Sequence, residues 1–158
     1  MIQFLFRGPY HYPVSPQTET RPLTTSMFQG RGILLDYAAW AAAQSPPISY
    51  STFSTHSIPF ATLLAICKHQ NVTPGKGDIL FIRTGVIPEW NSFSDQEKRE
   101  YAAQKEPKHA GVEACLETLE WLWDIGISAV AGDAISWEVS LCWFIQQALV
   151  PSRFSGPD

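Results

Sequence analysis

Apolar residues between positions 112 and 123 recur at intervals of three and four, which is the spacing of one face of an α-helix. The members of this stripe are Val112, Cys115, Leu116, Leu119, Leu122 and Trp123. Gly126 follows at the place where a helix end favours a left-handed residue. The pattern predicts an amphipathic helix over 112–123 that packs on the core, so replacing Leu119 with Ala is expected to cost about 2–5 kcal/mol.

Three short apolar runs predict buried strands of one central sheet. They are Ile33–Leu35, Ile79–Arg83 and Ile127–Ala131, the last followed by Gly132. The small residues of the third run suggest a strand that is crowded on both faces. Helices are expected at 37–43, at 60–70 and at 141–150, with Ser57 as the N-cap of the second. Residues 90–108 are expected to form a surface helix or lid.

Strands and helices therefore alternate, which indicates an α/β layered domain. The chain of 158 residues is long enough for one such domain. Proline-rich residues 1–29 show neither period and are interpreted as an irregular N-terminal arm. The α/β domain is assigned to residues 30–150, and residues 151–158 are interpreted as a tail.

Charge and cysteine content exclude some classes of function. A formal net charge of -4 and a pI near 5.5 argue against a nucleic-acid-binding surface. No apolar run reaches membrane-spanning length, and Met1–Phe6 is too short for a signal-peptide core. The three cysteines are odd in number and far apart, which favours buried free thiols in a reducing compartment. We therefore expect a cytoplasmic protein with neither nucleic acid nor membrane as a partner.

Asp133 is the first candidate for chemistry, because it follows a predicted buried strand and open α/β sheets bind ligands at the carboxyl ends of strands. The carboxylate could hold a metal or orient a base, or it could cap a backbone turn. Glu138 could share a cation with Asp133, although a solvated Glu is the simpler interpretation. Arg83 ends another strand, where it could hold an anionic substrate or pair with Asp36 or Asp133.

The remaining polar residues have simpler interpretations. Asp36 is expected to cap the helix that follows it, and Asp78 is expected in a turn. No two of the four histidines are spaced as a local zinc pair. His69 is predicted at a helix end, and His109 is predicted to be exposed before a helix. His11 and His56 are assigned to loops and are the two histidines that could serve as ligands.

Several short motifs of catalysis and nucleotide binding are absent from the sequence, although its composition leaves a Ser-based triad open. It contains no GxSxG elbow, no GxGxxG or P-loop string, and neither CxxC nor HExxH. These absences leave the carboxyl ends of the predicted strands as the place to look for a site.

Three longer strings resemble the putative cyclase family, especially its fungal branch. They are GRGILLDYAAWA at 30–41, GDILFIRTGVIPEW at 77–90 and AGVEACLETLEWLWDIGISAVAGDAISWE at 110–138. They occur in the order of that family and at about its spacing. The family includes the bacterial kynurenine formamidases.

The resemblance implies a metal-dependent hydrolase on a swivelling β/β/α-type fold. Formamidases of the family cleave N-formylkynurenine to kynurenine and formate in tryptophan catabolism, with zinc or manganese. The bound cation lowers the pKa of water and polarises the formyl carbonyl. On this basis Asp133 and Arg83 are the expected catalytic residues, and His11, Asp133 and Glu138 the expected metal ligands. The expected partner is a small-molecule substrate, and homo-oligomer formation is left open.

The chain departs from the family at the metal motif. The family's H-x-G-T-H-x-D-x-P motif precedes the region of Gly30, where this chain offers only His11 within residues 8–13. Residues 143–147 carry no counterpart of the family's late histidine, and the chain ends before its later glutamate. The resemblance thus implies a domain that is incomplete at both ends and impaired in activity. The alternative is a catalytically dead relative that acts as a non-enzymatic binding or oligomer subunit.

Overall fold

The computed structural model describes residues 2–3, for the backbone alone, and residues 30–139 of the chain. The strands are β1 (Ile2–Gln3), β2 (Gly32–Asp36), β3 (His56–Ile58), β4 (Ile79–Arg83), β5 (Ala110–Val112) and β6 (Ala129–Gly132). The helices are α1 (Tyr37–Ala42), α2 (Phe60–His69), α3 (Val86–Ser92), α4 (Asp95–Ala102) and α5 (Leu116–Ile125). No helix within these residues is long and apolar enough to cross a membrane.

The central sheet has the strand order β1-β6-β4-β2. Strands β2, β4 and β6 run parallel, and β1 pairs antiparallel with β6. In register, Leu34 lies opposite Phe81, which lies opposite Ala131. The predicted α/β class is therefore confirmed, and all three predicted strands are neighbours in one parallel sheet. The sequence did not predict β1, which lies within the segment interpreted as an irregular arm.

A second, smaller sheet pairs β3 with β5 in parallel. A further bridge joins Val112 to Glu138. The Val112 N–H donates to Trp137 O at 2.9 Å, and the Val139 N–H donates to Val112 O at 2.8 Å. The prediction of a helix beginning at Val112 is wrong, because these ladder bonds hold Val112 in a strand. The helix α5 begins at Leu116, after Cys115 as its N-cap.

The buried face of α5 also differs from the predicted stripe. Thr118 and Leu122 are buried, whereas Leu116 is 68% and Trp123 is 40% exposed. The predicted stripe is therefore confirmed at Leu122 and wrong at Leu116 and Trp123, while its members Val112 and Cys115 precede the helix. The predicted C-terminus is confirmed, since Gly126 caps α5 with a φ of 81°.

One face of the central sheet forms the core together with α2 and α5. The sheet contributes buried residues from β2, β4 and β6, namely Ile33, Leu35, Leu80, Ile82 and Val130. Helix α2 adds Leu63, Ile66 and Cys67, and its Phe60 ring meets Trp121 of α5 edge-on with centroids 5.8 Å apart. Cys67 is a buried free thiol as predicted, Cys115 is half-buried, and Cys142 lies outside the described residues.

Four smaller predictions need correction or lie beyond the described residues. Ser57 does not cap α2, because it is paired within β3 and Pro59 occupies the N-cap position. Residues 90–108, expected to form a surface helix or lid, contain the end of α3, the whole of α4 and a non-helical stretch at 103–108. Helix α4 begins with a capping box between Ser94 and Glu97. The helix expected at 141–150 and the tail at 151–158 lie outside the described residues.

Candidate functional site

The carboxyl ends of β2, β4 and β6 meet at one edge of the central sheet, called here the carboxyl edge. Asp36 and Arg83 are the last residues of β2 and β4, and Asp133 directly follows β6. Open α/β sheets bind ligands at this edge. The predicted Arg83 and Asp133 therefore end neighbouring strands on the same edge, as expected, while His11 lies outside the described residues.

Arg83 pairs with Asp36, which was one of the two pairings left open. Its Nε donates to Asp36 Oδ1 at 2.9 Å, and 48% of the Arg83 side chain is exposed. The same Asp36 oxygen accepts the Ala39 N–H at 2.9 Å, which confirms Asp36 as the N-cap of α1. Arg83 is thus held at the edge through Nε, and about half of its side chain remains exposed.

Asp133 ties the end of β6 to the turn that follows β4. Its Oδ1 accepts the Thr84 N–H and the Thr84 hydroxyl, both at 2.7 Å. Its Oδ2 accepts the N–H groups of Gly85 at 2.9 Å and Val86 at 3.1 Å. Burial acts to raise the pKa of Asp133, but these hydrogen bonds outweigh it and hold the pKa below its usual range. Asp133 is therefore an ionised carboxylate with two donors on each oxygen, and its assignment as catalytic residue and metal ligand stays a prediction.

Glu89 fixes the other side of the same connection. It lies on α3 and accepts the Thr52 N–H and the Thr52 hydroxyl, both at 2.7 Å, together with the Ser51 hydroxyl. Burial acts to raise the pKa of Glu89, but the hydrogen bonds lower it overall. Tyr50, one residue before Ser51, donates its hydroxyl to the Thr84 carbonyl at 2.6 Å. The β4–α3 connection is thus held by polar contacts from both directions.

Three aromatic rings gather beside this connection, and sequence reasoning did not bring them together. Tyr37 Oη lies 2.6 Å from His56 Nε2, and the Tyr50 ring stacks on the His56 ring at 4.6 Å with an interplanar angle of 19°. His56 is the first residue of β3, not a loop residue as predicted. Tyr37 directly follows Asp36, so its place after a strand end was the one signal that could have pointed to it.

Glu138 forms an isolated bridge with Val112 of β5. Its Oε2 is buried without a hydrogen-bond partner among the described residues, and burial raises its pKa. Its carbonyl accepts a hydrogen bond from His109 Nε2 at 3.0 Å. His109 was predicted to be exposed before a helix. It is half-buried and precedes a strand, so that prediction is wrong.

Asp78 and His69 have the structural places that the sequence predicted. Asp78 accepts the Gly75 N–H at 2.6 Å within a turn, and Arg31 binds both of its oxygens, at 3.0 and 2.7 Å. The hydrogen bond from Arg31, followed by that from Gly75, lowers the pKa of Asp78 despite its burial. His69 is the last residue of α2.

A catalytic metal site usually needs three protein ligands and an open position. Within residues 30–139 the structure contains no group of three or more His, Cys, Asp or Glu side chains that could hold a metal ion. The orphaned Oε2 of Glu138 could serve as one ligand, whereas both oxygens of Asp133 already accept protein donors. The described residues therefore do not by themselves fit the metal centre that the resemblance implies.

Comparison with known families then identifies the relationship. A family model described as putative cyclase matches residues 6–139. The chain belongs to the putative cyclase family. A solved crystal structure described as a novel cyclase matches with 25% sequence identity and a TM-score of 0.57, covering 71% of this chain and 33% of that one. This cyclase-family chain thus spans about a third of that cyclase, whose fold it shares, and no curated protein matches it.

Proposed function

We propose that the chain is a metal-dependent hydrolase of the cyclase family, of the kynurenine formamidase type and fungal branch, with impaired activity. Its reaction would be the cleavage of N-formylkynurenine to kynurenine and formate in tryptophan catabolism. The observation that carries the proposal is the family match over residues 6–139, which contains all three strings that resemble these enzymes.

The carboxyl edge supports a ligand of this kind. Asp36 accepts a hydrogen bond from Nε of Arg83, the Arg83 side chain is 48% exposed, and its guanidinium carries further N–H groups. Guanidinium groups bind carboxylates through paired hydrogen bonds. The amino-acid carboxylate of N-formylkynurenine therefore suits Arg83 in the substrate-holding role that the sequence assigned to it.

The impaired activity is inferred from the poor set of candidate metal ligands. Asp133, the residue expected to be both catalytic and a metal ligand, would have to give up hydrogen bonds from Thr84, Gly85 or Val86 to bind a cation. His11 and Glu138 are the other two candidates, and Glu138 is bridged to Val112 of β5, outside the central sheet. Loss of groups that merely orient metal ligands typically costs 10–100-fold in activity or affinity, so a poor ligand set should cost at least that much.

The test combines metal quantitation with a hydrolysis assay on the purified chain. Zinc or manganese is added, excess metal is removed, bound metal is measured, and kynurenine release from N-formylkynurenine is followed. The proposal predicts slow turnover that is proportional to protein and depends on added metal, with well under one metal retained per chain. Arg83→Gln should raise KM more than it lowers kcat, whereas Arg99→Gln, on the exposed helix α4, should change neither.

Two results would contradict the proposal in different ways. Absence of protein-dependent hydrolysis at every metal concentration would favour the non-enzymatic binding or oligomer subunit. One tightly held metal per chain with rapid turnover would show that the activity is not impaired. Loss of turnover in Asp133→Asn alone would not identify a catalytic role, because this substitution also removes acceptors for backbone N–H groups.

A further inference from the structure

The hydroxyl of Tyr37 contacts Nε2 of His56, so it bears on which ring nitrogen carries the hydrogen. Tyr37 is 2% exposed, and buried hydroxyl groups need a hydrogen-bond partner. Within residues 30–139, His56 Nε2 at 2.6 Å is its hydrogen-bond partner. A phenol can donate to Nε2 or accept from it, and donation is the direction that leaves no buried O–H without an acceptor. With that direction a neutral imidazole carries its single hydrogen on Nδ1.

The groups around the ring keep His56 neutral near pH 7. Burial lowers the pKa of His56 and raises the pKa of Tyr37 and, strongly, that of Tyr50. The two phenols face the imidazole from α1 and from the loop before β3. The carboxylates of Asp36, Glu89 and Asp133 lie close enough to Tyr50 to raise its pKa further. Three uncharged rings are therefore packed together beside the charged groups of the carboxyl edge.

The orientation of the imidazole is fixed as well as its tautomer. Tyr50 stacks on it, and the Tyr50 hydroxyl is anchored to the carbonyl of Thr84, the residue after β4. Tyr37, which holds Nε2, follows directly after β2. Tyr37 thus follows the end of β2, and Tyr50 is anchored just beyond the end of β4. No described residue accepts a hydrogen bond from Nδ1–H. The buried polar atoms that lack a partner among the described residues do not include Nδ1, so Nδ1 is not buried.

We propose that the Nδ1–H of His56 is a hydrogen-bond donor for an oxygen of a small-molecule ligand at the carboxyl edge. Tyr37 is the positioning residue that sets this tautomer. The ligand class is a carbonyl compound or carboxylate, because an N–H donor of a neutral ring recognises an oxygen acceptor without requiring a charge. The identity of the ligand as a kynurenine or formate rests on the proposed function, but the tautomer and the donor role do not.

Nuclear magnetic resonance of the ¹⁵N-labelled, metal-free chain tests the tautomer directly. Long-range ¹H–¹⁵N couplings at pH 7 should show His56 protonated at Nδ1. In Tyr37→Phe, which removes the hydroxyl and keeps the ring, the population should shift towards Nε2–H. The control Tyr101→Phe removes a hydroxyl that donates to Lys108 O and should leave the His56 signals unchanged. An Nε2–H tautomer in the unmodified chain would overturn the inference.

Titration of the same sample with formate and with kynurenine tests the donor role. Either probe should move the Nδ1–H signal of His56, and His56→Gln should weaken kynurenine binding about five- to tenfold, as expected for one lost hydrogen bond. Unchanged His56 signals with both probes would overturn the donor role. Because no turnover or metal is needed, an inactive chain that gives these shifts would contradict only the proposed function. An active chain without them would contradict only this inference.

Discussion

Asp133→Asn is the substitution that tests most sharply how the carboxyl edge is built. The change keeps the shape of the side chain, but it replaces one acceptor oxygen with an NH₂ group. If the NH₂ group faces Gly85 and Val86, two backbone N–H groups lose their acceptor. If it faces Thr84, one backbone N–H loses its acceptor and the Thr84 hydroxyl can turn to accept from the amide. The second orientation costs less and should be the one adopted.

The expected loss follows from these contacts. One orphaned, part-buried backbone N–H costs about 1–3 kcal/mol, and the surviving hydrogen bonds are weakened because their acceptor is no longer charged. We therefore expect Asp133→Asn to lower the free energy of unfolding by about 2–4 kcal/mol at pH 7. This is a large share of the stability of a small domain, which is typically about 5–15 kcal/mol.

Urea unfolding followed by tryptophan fluorescence measures this loss. Asp124→Asn is the matched control, since Asp124 is exposed at the end of α5, and it should change the free energy of unfolding by less than about 0.5 kcal/mol. A loss below about 0.5 kcal/mol in Asp133→Asn, or no difference between the two variants, would refute the four-donor arrangement.

The same comparison has a pH dependence of known sign. The pKa of Asp133 is lower in the folded chain than in the unfolded one, so the unfolded chain takes up the proton first as pH falls. The stabilisation by Asp133 is thus fully present above the unfolded pKa of about 3.9 and is lost as pH falls through the folded pKa. The difference between the unmodified chain and Asp133→Asn should therefore shrink below about pH 4. A difference that stays constant down to acid unfolding would contradict the assigned charge.

Two further substitutions test the core and the second anchor of α3. Leu122→Ala should lower the free energy of unfolding by about 2–5 kcal/mol because Leu122 is buried. Leu116→Ala, at an exposed position of the same helix, should lower it by less than about 0.5 kcal/mol. Equal losses in urea unfolding would show that the buried face is wrongly assigned. Glu89→Gln should cost about 1–3 kcal/mol, because one of its oxygens no longer accepts from Ser51 or Thr52. Glu120→Gln, on the exposed side of α5, is its control, and a Glu89→Gln chain as stable as that control would contradict the anchoring role.

The sequence predicted the central sheet because its strands are continuous apolar runs bounded by Gly or Asp. Their alternation with helices indicated the α/β class, and the structure shows that they pair in parallel. Strands β3 and β5 could not be predicted in the same way, since each has three residues and too short a pattern to show a period. Val112 fitted the helical stripe by spacing alone, and only tertiary pairing with Trp137 places it in a strand.

The candidate site was predictable to the extent that it lies at strand ends. Asp36, Arg83 and Asp133 could be placed on one edge because the carboxyl ends of parallel strands lie together. The hydrogen bonds of Asp133 could not be predicted, because its partners are 47 to 49 residues away along the chain. The pair of Tyr37 and His56 is separated by 19 residues and joins an α-helix to a strand of the second sheet, so no local spacing indicates it.

The measurement that tests the proposed function most directly is kynurenine release from N-formylkynurenine by the purified chain across a series of zinc and manganese concentrations. The proposal predicts slow release that scales with protein concentration, rises with added metal and disappears on chelation. Release that never exceeds the rate in protein-free buffer at any metal concentration would contradict it.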